Sequence, residues 1–269
     1  MKLLITGASG SIGRVLRDGL AGQYELMRLT DLAPPPRSAA RGEECVGFDI
    51  TDLDAATAAC AGIDCVVHLA GIPLEPKENA WEQLLPANIV GCYNMFEASR
   101  RSGVRRFIFA SSNHVVGFYR REVIVDTDVL PRPDSLYGAG KVFGEALGRL
   151  YADKHGMSVA CLRIGSFRPA PEDRRQLATW VSAEDTVQLI KRCIDAPSFH
   201  FFVVYGVSNN EGTFWTNRGV EWLGYEPHSC GDDYAERFAS HPPEDALEGM
   251  FHGGGYCAQG FDGDPSLID

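Results

Sequence analysis

Tyr137 and Lys141 stand four residues apart in Tyr137-Gly-Ala-Gly-Lys141, inside a stretch, residues 136–155, whose pattern predicts a helix. At that spacing the phenol and the ammonium share one helix face. A phenol with its ordinary pKa of about 10 is a poor base at neutral pH. Bringing it toward about 7 takes about 4 kcal/mol of preferential phenolate stabilisation, of the kind an adjacent ammonium or another nearby positive charge provides. Ser111-Ser112 follow directly on a predicted strand ending at Ala110, and a hydroxyl at a strand end can hold a substrate oxygen while the phenol moves its proton. Together these groups make a site for oxidising an alcohol. Taken alone, Tyr-x-x-x-Lys is an ordinary helix-surface pair, so its meaning depends on what precedes it.

What precedes it is Thr6-Gly7-Ala8-Ser9-Gly10-Ser11-Ile12-Gly13, a strand running through a G-x-x-G-x-x-G turn into a helix. Gly7, Gly10 and Gly13 let the turn close and the backbone approach a pyrophosphate, while Ser9, Ser11 and Ile12 bring amides at the helix N-terminus to the anion. This is a dinucleotide site. Asp31, eighteen residues after Gly13, falls where a carboxylate binds an adenosine ribose 2′-OH and repels a 2′-phosphate, so NAD is expected in preference to NADP. Arg28 or Arg37 is the alternative, serving a phosphate instead. Asp49 with Ile50, and Leu69-Ala70-Gly71, lie at the ends of the third and fourth predicted strands and are assigned to the adenine and ribose walls.

The elements that must position these groups alternate along the chain. Strands are predicted at residues 2–6, 25–30, 45–48, 65–68, 106–110, 159–163 and 202–205. Helices are predicted at 11–21, 52–61 with Thr51 as N-cap and Gly62 beyond its end, 81–102, 136–155, and 183–196 capped by Ser182. Runs such as Cys65-Val-Val-His68 are apolar on both faces, as strands covered on each side must be. The fold class is α/β, a doubly wound parallel (Rossmann) sheet with a small C-terminal substrate-covering lobe. Residues 1–165 are read as the NAD-binding core, and 166–269 as the lobe, which shares one helix and one strand with that core. The stretch from 242 onward, rich in Gly and acidic residues, is read as irregular cover over the site.

The chain of 269 residues carries a formal net charge of -11, from 25 Lys plus Arg against 36 Asp plus Glu. That sign disfavours nucleic acid and anionic membranes as partners, and requires a local basic group to catch any anionic substrate. No apolar run reaches the roughly 18 residues of a membrane span, and Met1 leads straight into a short apolar segment without a basic leader, so a cytoplasmic location is expected. The eight cysteines are dispersed without a Cys-x-x-Cys pair, the pattern of reduced, buried thiols.

The T-G-x-x-G-x-x-G turn, the strand-end Ser and Y-x-x-x-K resemble the extended short-chain dehydrogenase/reductase superfamily over residues 2–163. Within it, Ala110-Ser-Ser-Asn-His-Val-Val-Gly117, Arg132-Pro-Asp-Ser-Leu-Tyr-Gly138, Lys141-Val-Phe-Gly-Glu145, Leu162-Arg-Ile-Gly-Ser166 and Thr179-Trp180 resemble the bacterial uronate dehydrogenases across nearly the whole chain.

The resemblance implies oxidation of the anomeric carbon of glucuronate or galacturonate with NAD, giving an aldarolactone. It makes Ser112, Tyr137 and Lys141 the catalytic triad, with Lys141 also on the nicotinamide ribose. Ser111, Asn88 and Ile164 join the cofactor site, with Asn88 close beneath the active site. Asn113, His114 and Ser166 meet the sugar, and Tyr256 closes over it. Arg175 takes the substrate carboxylate, a role for which a guanidinium fork is suited, with Arg168 and Arg174 as competitors. No second His stands at ligand spacing from His114, so no metal is expected. A homo-oligomer paired through the helices at 81–102 and 136–155 is implied by analogy.

Two departures fall on the substrate side. Gly71-Ile72-Pro73 stands where the family has a Ser, and the segment that follows, residues 74–81, is a few residues longer. An aldose dehydrogenase, a nucleotide-sugar epimerase or dehydratase, and a non-catalytic NAD-binding regulator are the other readings. The short chain beyond Arg163 weighs against the second of these, and the intact Tyr137 and Lys141 against the third.

Overall fold

The computed structural model describes residues 1–36, 42–240 and 245–268. Its strands are β1 (Lys2–Thr6), β2 (Leu26–Asp31), β3 (Glu43–Gly47), β4 (Cys65–His68), β5 (Arg106–Ser112), β6 (Ser158–Ile164), β7 (Ser166–Phe167), β8 (Trp180–Val181) and β9 (Phe201–Gly206). Its α-helices are α1 (Ser11–Gly19), α2 (Leu53–Cys60), α3 (Ala80–Leu84), α4 (Cys92–Arg101), α5 (Leu136–His155), α6 (Arg174–Thr179), α7 (Ala183–Asp195), α8 (Ala246–Met250) and α9 (Gly255–Ala258).

Seven strands form one parallel sheet in the order β3-β2-β1-β4-β5-β6-β9. Alternation along each strand sends side chains to two separate cores. Leu3 and Ile5 of β1, with Ile108 of β5 and Leu162 of β6, pack with α1 and α7 through Leu16, Leu189 and Ile190. Leu4, Phe107, Phe109 and Val159 face the other way, toward α2, α4 and α5 through Ala56, Phe96 and Tyr151. Both faces are therefore covered, which is why the strands read as unbroken apolar runs. The strand order reverses at β1, so the crevice beyond the C-terminal ends of β1 and β4 is the place this topology provides for a ligand.

Three expectations about the elements are corrected. The helix expected at 81–102 is interrupted: a π-helical stretch, Leu85–Gly91, separates α3 from α4. Pro86 has no N–H to donate back along the helix, and the ladder widens around it. The N-cap of α2 is Asp52, whose carboxylate accepts from the Asp54 and Ala55 amides at 3.0 Å each, and not Thr51. The C-terminal stretch carries α8, α9 and a 3-10 turn at Pro265–Leu267, more regular structure than expected. It is tied down by Arg120, which donates to the carbonyls of Ile268 and Pro265. Residues 242–244 and 269 of that stretch lie outside the described residues.

β5, β6 and α5 are clamped together by a buried ion pair. Arg163 donates from Nε and Nη2 to the two oxygens of Glu145, at 3.0 and 2.9 Å. Ser111 donates to the same carboxylate at 2.6 Å, and Arg163 also donates to the Tyr205 hydroxyl at 3.1 Å. Removing one member of such a pair leaves the other charged and desolvated, at a cost of about 3–5 kcal/mol. Glu145→Ala is expected to lower Tm by roughly 6–20 °C for a chain of this size, measured by thermal unfolding. A fall within about 2 °C would show that the pair does not hold the sheet to α5.

Candidate active site

β1 ends at Thr6, and the chain turns through Gly7 at φ 68°, the left-handed region open to glycine. A Cβ on Gly13 would stand 2.4 Å from the Gly7 carbonyl oxygen, so only glycine lets α1 approach the strand. Gly10 caps α1 with no side-chain hydrogen bond, so the first turn of the helix has no capping side chain over it. Gly7, Ser9, Gly10, Ser11, Ile12 and Gly13 line a pocket of about 1080 Å³. Backbone amides at a helix N-terminus, with no Cβ in front of them, fit the pyrophosphate of a dinucleotide.

Asp31 lines the same pocket at the end of β2. Its carboxylate accepts from the Ser9 and Leu32 amides, each at 2.9 Å. Arg28, weighed as a phosphate ligand, is committed elsewhere: it pairs with Glu44 at 2.8 Å and donates to the carbonyls of Ala59 and Ala61. Arg37 lies outside the described residues. Asp49, Ile50, Leu69, Ala70, Gly71 and Ile164 all line the pocket. Asn88 does not. Its amide accepts from Ile72 N at 2.8 Å and donates to Ile72 O at 3.0 Å, bracketing the loop after β4 from behind. Through these two bonds Asn88 shapes the loop that carries Gly71, Ile72 and Pro73 to the pocket wall. Pro73 reaches the pocket wall where a hydroxyl was expected from the family pattern.

β5 carries the two serines to opposite sides. Ser111 lines the pocket, but its hydroxyl is bonded to Glu145. Ser112 accepts from the His114 amide at 3.2 Å, so its own proton is available to a second acceptor, and its hydroxyl is placed to favour the Tyr137 phenolate. Tyr137 and Lys141 are one turn apart on α5, the ammonium 5.5 Å from the phenol ring centroid. The ammonium donates to the Ala110 carbonyl at 2.8 Å, and burial draws its pKa down to about 8. Burial pushes the Tyr137 phenol up, with Ser112 acting against it. The pairing on one face is as the spacing predicts. In the protein alone, desolvation of the phenolate outweighs the opposing contribution of Ser112.

On the substrate side, His114, Asn113, Ser166, Arg175 and Tyr256 line the same pocket. His114 is bonded through Nδ1 to Asp134 at 2.7 Å and stacks on Tyr256 with ring centroids 3.9 Å apart. Ser166 shares a hydrogen bond with Thr179 at 2.9 Å. Arg175, near the start of α6, donates from Nε to the His252 carbonyl at 2.6 Å. In the amide orientation that satisfies both its neighbours, Asn113 accepts from Arg175 Nη2 at 2.8 Å and donates to the Ile164 carbonyl at 3.1 Å. Among the described residues no carboxylate lies within ion-pair distance of Arg175. Of its competitors, Arg168 is half-exposed and paired with Glu172 at 3.2 Å, and Arg174 does not line the pocket.

Two residues not expected from the sequence shape this site. Asp134 stands behind His114. Glu75, in the loop after β4, accepts from the Tyr137 amide at 2.7 Å. Glu75 falls in the lengthened segment at residues 74–81, which was the signal that could have drawn attention to it.

All eight cysteines are free thiols, six of them buried, and no helix among the described residues is long and apolar enough to cross a membrane. Residues 3–183 match the NAD dependent epimerase/dehydratase family. The uronate dehydrogenase of Agrobacterium fabrum is 44% identical over 260 residues, covering 94% of this chain and 95% of that protein. The uronate dehydrogenase of Pseudomonas putida is 38% identical over 261 residues, with 96% of each covered. A crystal structure of a uronate dehydrogenase mutant from Agrobacterium tumefaciens, complexed with NAD, superposes with a TM-score of 0.88 at 42% identity, covering 96% of this chain and 97% of that one. With its seven-stranded parallel sheet, its glycine turn and relatives that span nearly its full length, the chain belongs to the NAD dependent epimerase/dehydratase family of extended short-chain dehydrogenases/reductases.

Proposed function

We propose that the protein is an NAD-dependent uronate dehydrogenase, oxidising the anomeric carbon of a hexuronate such as glucuronate or galacturonate. The observation that carries this reading is Arg175: a guanidinium with no carboxylate within ion-pair distance among the described residues, on the wall of the pocket that also holds Ser112, Tyr137 and Lys141. In an acidic protein, a desolvated guanidinium held in that way is a receptor for a substrate carboxylate.

The glycine turn, Asp31 and the ends of β3 and β4 would hold NAD, which would supply the hydride acceptor and the positive charge of its nicotinamide ring. The Tyr137 oxygen takes the proton of the anomeric hydroxyl. Ser112, whose lone pair is engaged by the His114 amide, donates to the oxygens gathered at the phenol and keeps the substrate oxygen in line. Lys141, anchored on the Ala110 carbonyl, holds its ammonium beside the phenol ring and, as the resemblance implies, the nicotinamide ribose. Loss of a proton from the hydroxyl and of a hydride from the same carbon turns the ring hemiacetal into a ring ester, so the product is an aldarolactone. Asn113 and His114 meet the sugar hydroxyls, and Tyr256 covers them. In this reading residues 166–269 form the substrate lobe, the chain pairs with copies of itself through α4 and α5, and it works in the cytoplasm, where its thiols stay reduced.

A panel of aldoses and uronates, followed by NADH absorbance, tests the proposal. Turnover of glucuronate or galacturonate at least tenfold above glucose and galactose is expected. Equal turnover of acid and neutral sugar would overturn the carboxylate clamp, and no turnover of any of them beside tight NAD binding would leave a binding protein in place of an enzyme.

A further inference from the structure

Behind the substrate wall lies a carboxylate that this reaction does not use directly. The Asp134 side chain is fully buried. It sits where side chains on Gly117 and Gly253 would have been: a Cβ on either would stand 1.8 or 2.0 Å from Asp134 Oδ2. That oxygen faces His114 Nδ1 at 2.7 Å. The other, Oδ1, accepts from the Ser135 hydroxyl at 2.8 Å. Ser135 in turn accepts from the Gly138 amide at 3.0 Å, capping α5, so its one proton is directed at Asp134.

His114 is held on three sides. Its ring stacks on Tyr256 at 3.9 Å, lies edge-on to Tyr137 at 6.0 Å, and is tied at Nδ1 to Asp134. Nε2 has no protein hydrogen bond among the described residues, and His114 lines the pocket. An ionised carboxylate only accepts, so Nδ1 must donate and the neutral ring must carry its proton there.

We infer that Asp134 is a positioning residue that locks His114 in the Nδ1–H tautomer, so that Nε2 meets the substrate as a hydrogen-bond acceptor and selects a sugar hydroxyl as donor. The inference rests on the proposed function for the identity of the substrate, but the tautomer itself does not depend on it.

Asp134→Asn has a predetermined outcome here. The Ser135 proton requires an acceptor at the Oδ1 position, so the amide oxygen goes there and the NH₂ faces His114. Nδ1 must then accept, the ring proton moves to Nε2, and the substrate-facing nitrogen becomes a donor. The variant is isosteric and keeps both hydrogen bonds.

The test uses protein labelled with ¹⁵N at histidine, at pH 8, where an ordinary imidazole is neutral. Long-range ¹H–¹⁵N correlations, assigned by the loss of one spin system in His114→Gln, report the tautomer. Wild-type protein is expected to show Nδ1–H and the Asp134→Asn variant Nε2–H. In steady-state assays the same variant is expected to lose at least tenfold in kcat/KM for uronate, mainly through KM, with the Kd for NADH unchanged within twofold. A wild-type ring protonated at Nε2 or at both nitrogens overturns the inference. So does an unchanged tautomer in the variant, or a switched tautomer with wild-type kinetics. If wild-type protein turns over no uronate, the proposed function fails on its own while the spectra still decide the tautomer.

Discussion

Replacing Tyr137 by Phe is expected to lower kcat on glucuronate by about 10³-fold, within the 10² to 10⁴ range that a positioned acid–base group contributes, while the Kd for NADH stays within twofold of wild type. The change removes one oxygen. The ring keeps its place between Lys141 and His114. The backbone amide that anchors this turn to Glu75 is untouched, as is the glycine turn that holds the dinucleotide. Stability should therefore be preserved, and the loss should appear in turnover. Burial makes the phenol a reluctant acid in the protein alone, so the proton can leave only where positive charge and the neighbouring Ser112 hydroxyl favour phenolate. Lys141, drawn down to about 8, is still largely charged at pH 7 and loses that charge as the pH rises past 8. The comparison is therefore best made at pH 7, by NADH absorbance for turnover and fluorescence titration for binding. A variant retaining more than a tenth of wild-type kcat would show that another group moves the proton.

The parts of this site legible in the sequence are those where backbone geometry restricts the residue type. Gly7 and Gly13 are such positions: one needs a left-handed φ and the other has backbone 2.4 Å from where its Cβ would be. The Tyr137–Lys141 pair is legible because helical spacing alone fixes its face. The two-faced burial of β1, β4, β5 and β6 announces itself as apolar runs. What stayed hidden depends on contacts between distant segments. Glu75 meets the Tyr137 amide across 62 residues of chain, and Asp134 meets His114 across 20. Both look like ordinary solvated acids until the fold brings their partners to them. The separate roles of Ser111 and Ser112 follow from strand alternation, but only the position of Glu145 decides which one is committed to the core. Thr51 and Asp52 are both competent caps one residue apart, and the choice between them rests on where α2 begins.

Arg175→Ala is the second large effect expected. A charge-assisted, partly buried guanidinium–carboxylate contact is worth about 3 kcal/mol, so kcat/KM for glucuronate should fall about 100-fold, carried mainly by KM. The guanidinium has five N–H donors. Two are in use, on the His252 carbonyl and the Asn113 amide, which leaves three for a substrate. Those two bonds also fix the plane of the fork, so Arg175→Lys, which keeps the charge but not the fork, should recover only part of the loss. Neutral sugars should be affected less than threefold, since they offer no carboxylate to the site. That difference separates a lost clamp from a damaged pocket. Arg168→Ala serves as the control. Its guanidinium lines the pocket but is half-exposed and already paired with Glu172, and an exposed pair contributes about 1 kcal/mol or less. Michaelis curves for glucuronate and galactose on the three variants decide the matter. A large KM increase in Arg168→Ala with little change in Arg175→Ala would move the clamp to the other arginine, and equal losses on acid and neutral sugar would mean that Arg175 shapes the pocket without reading the carboxylate.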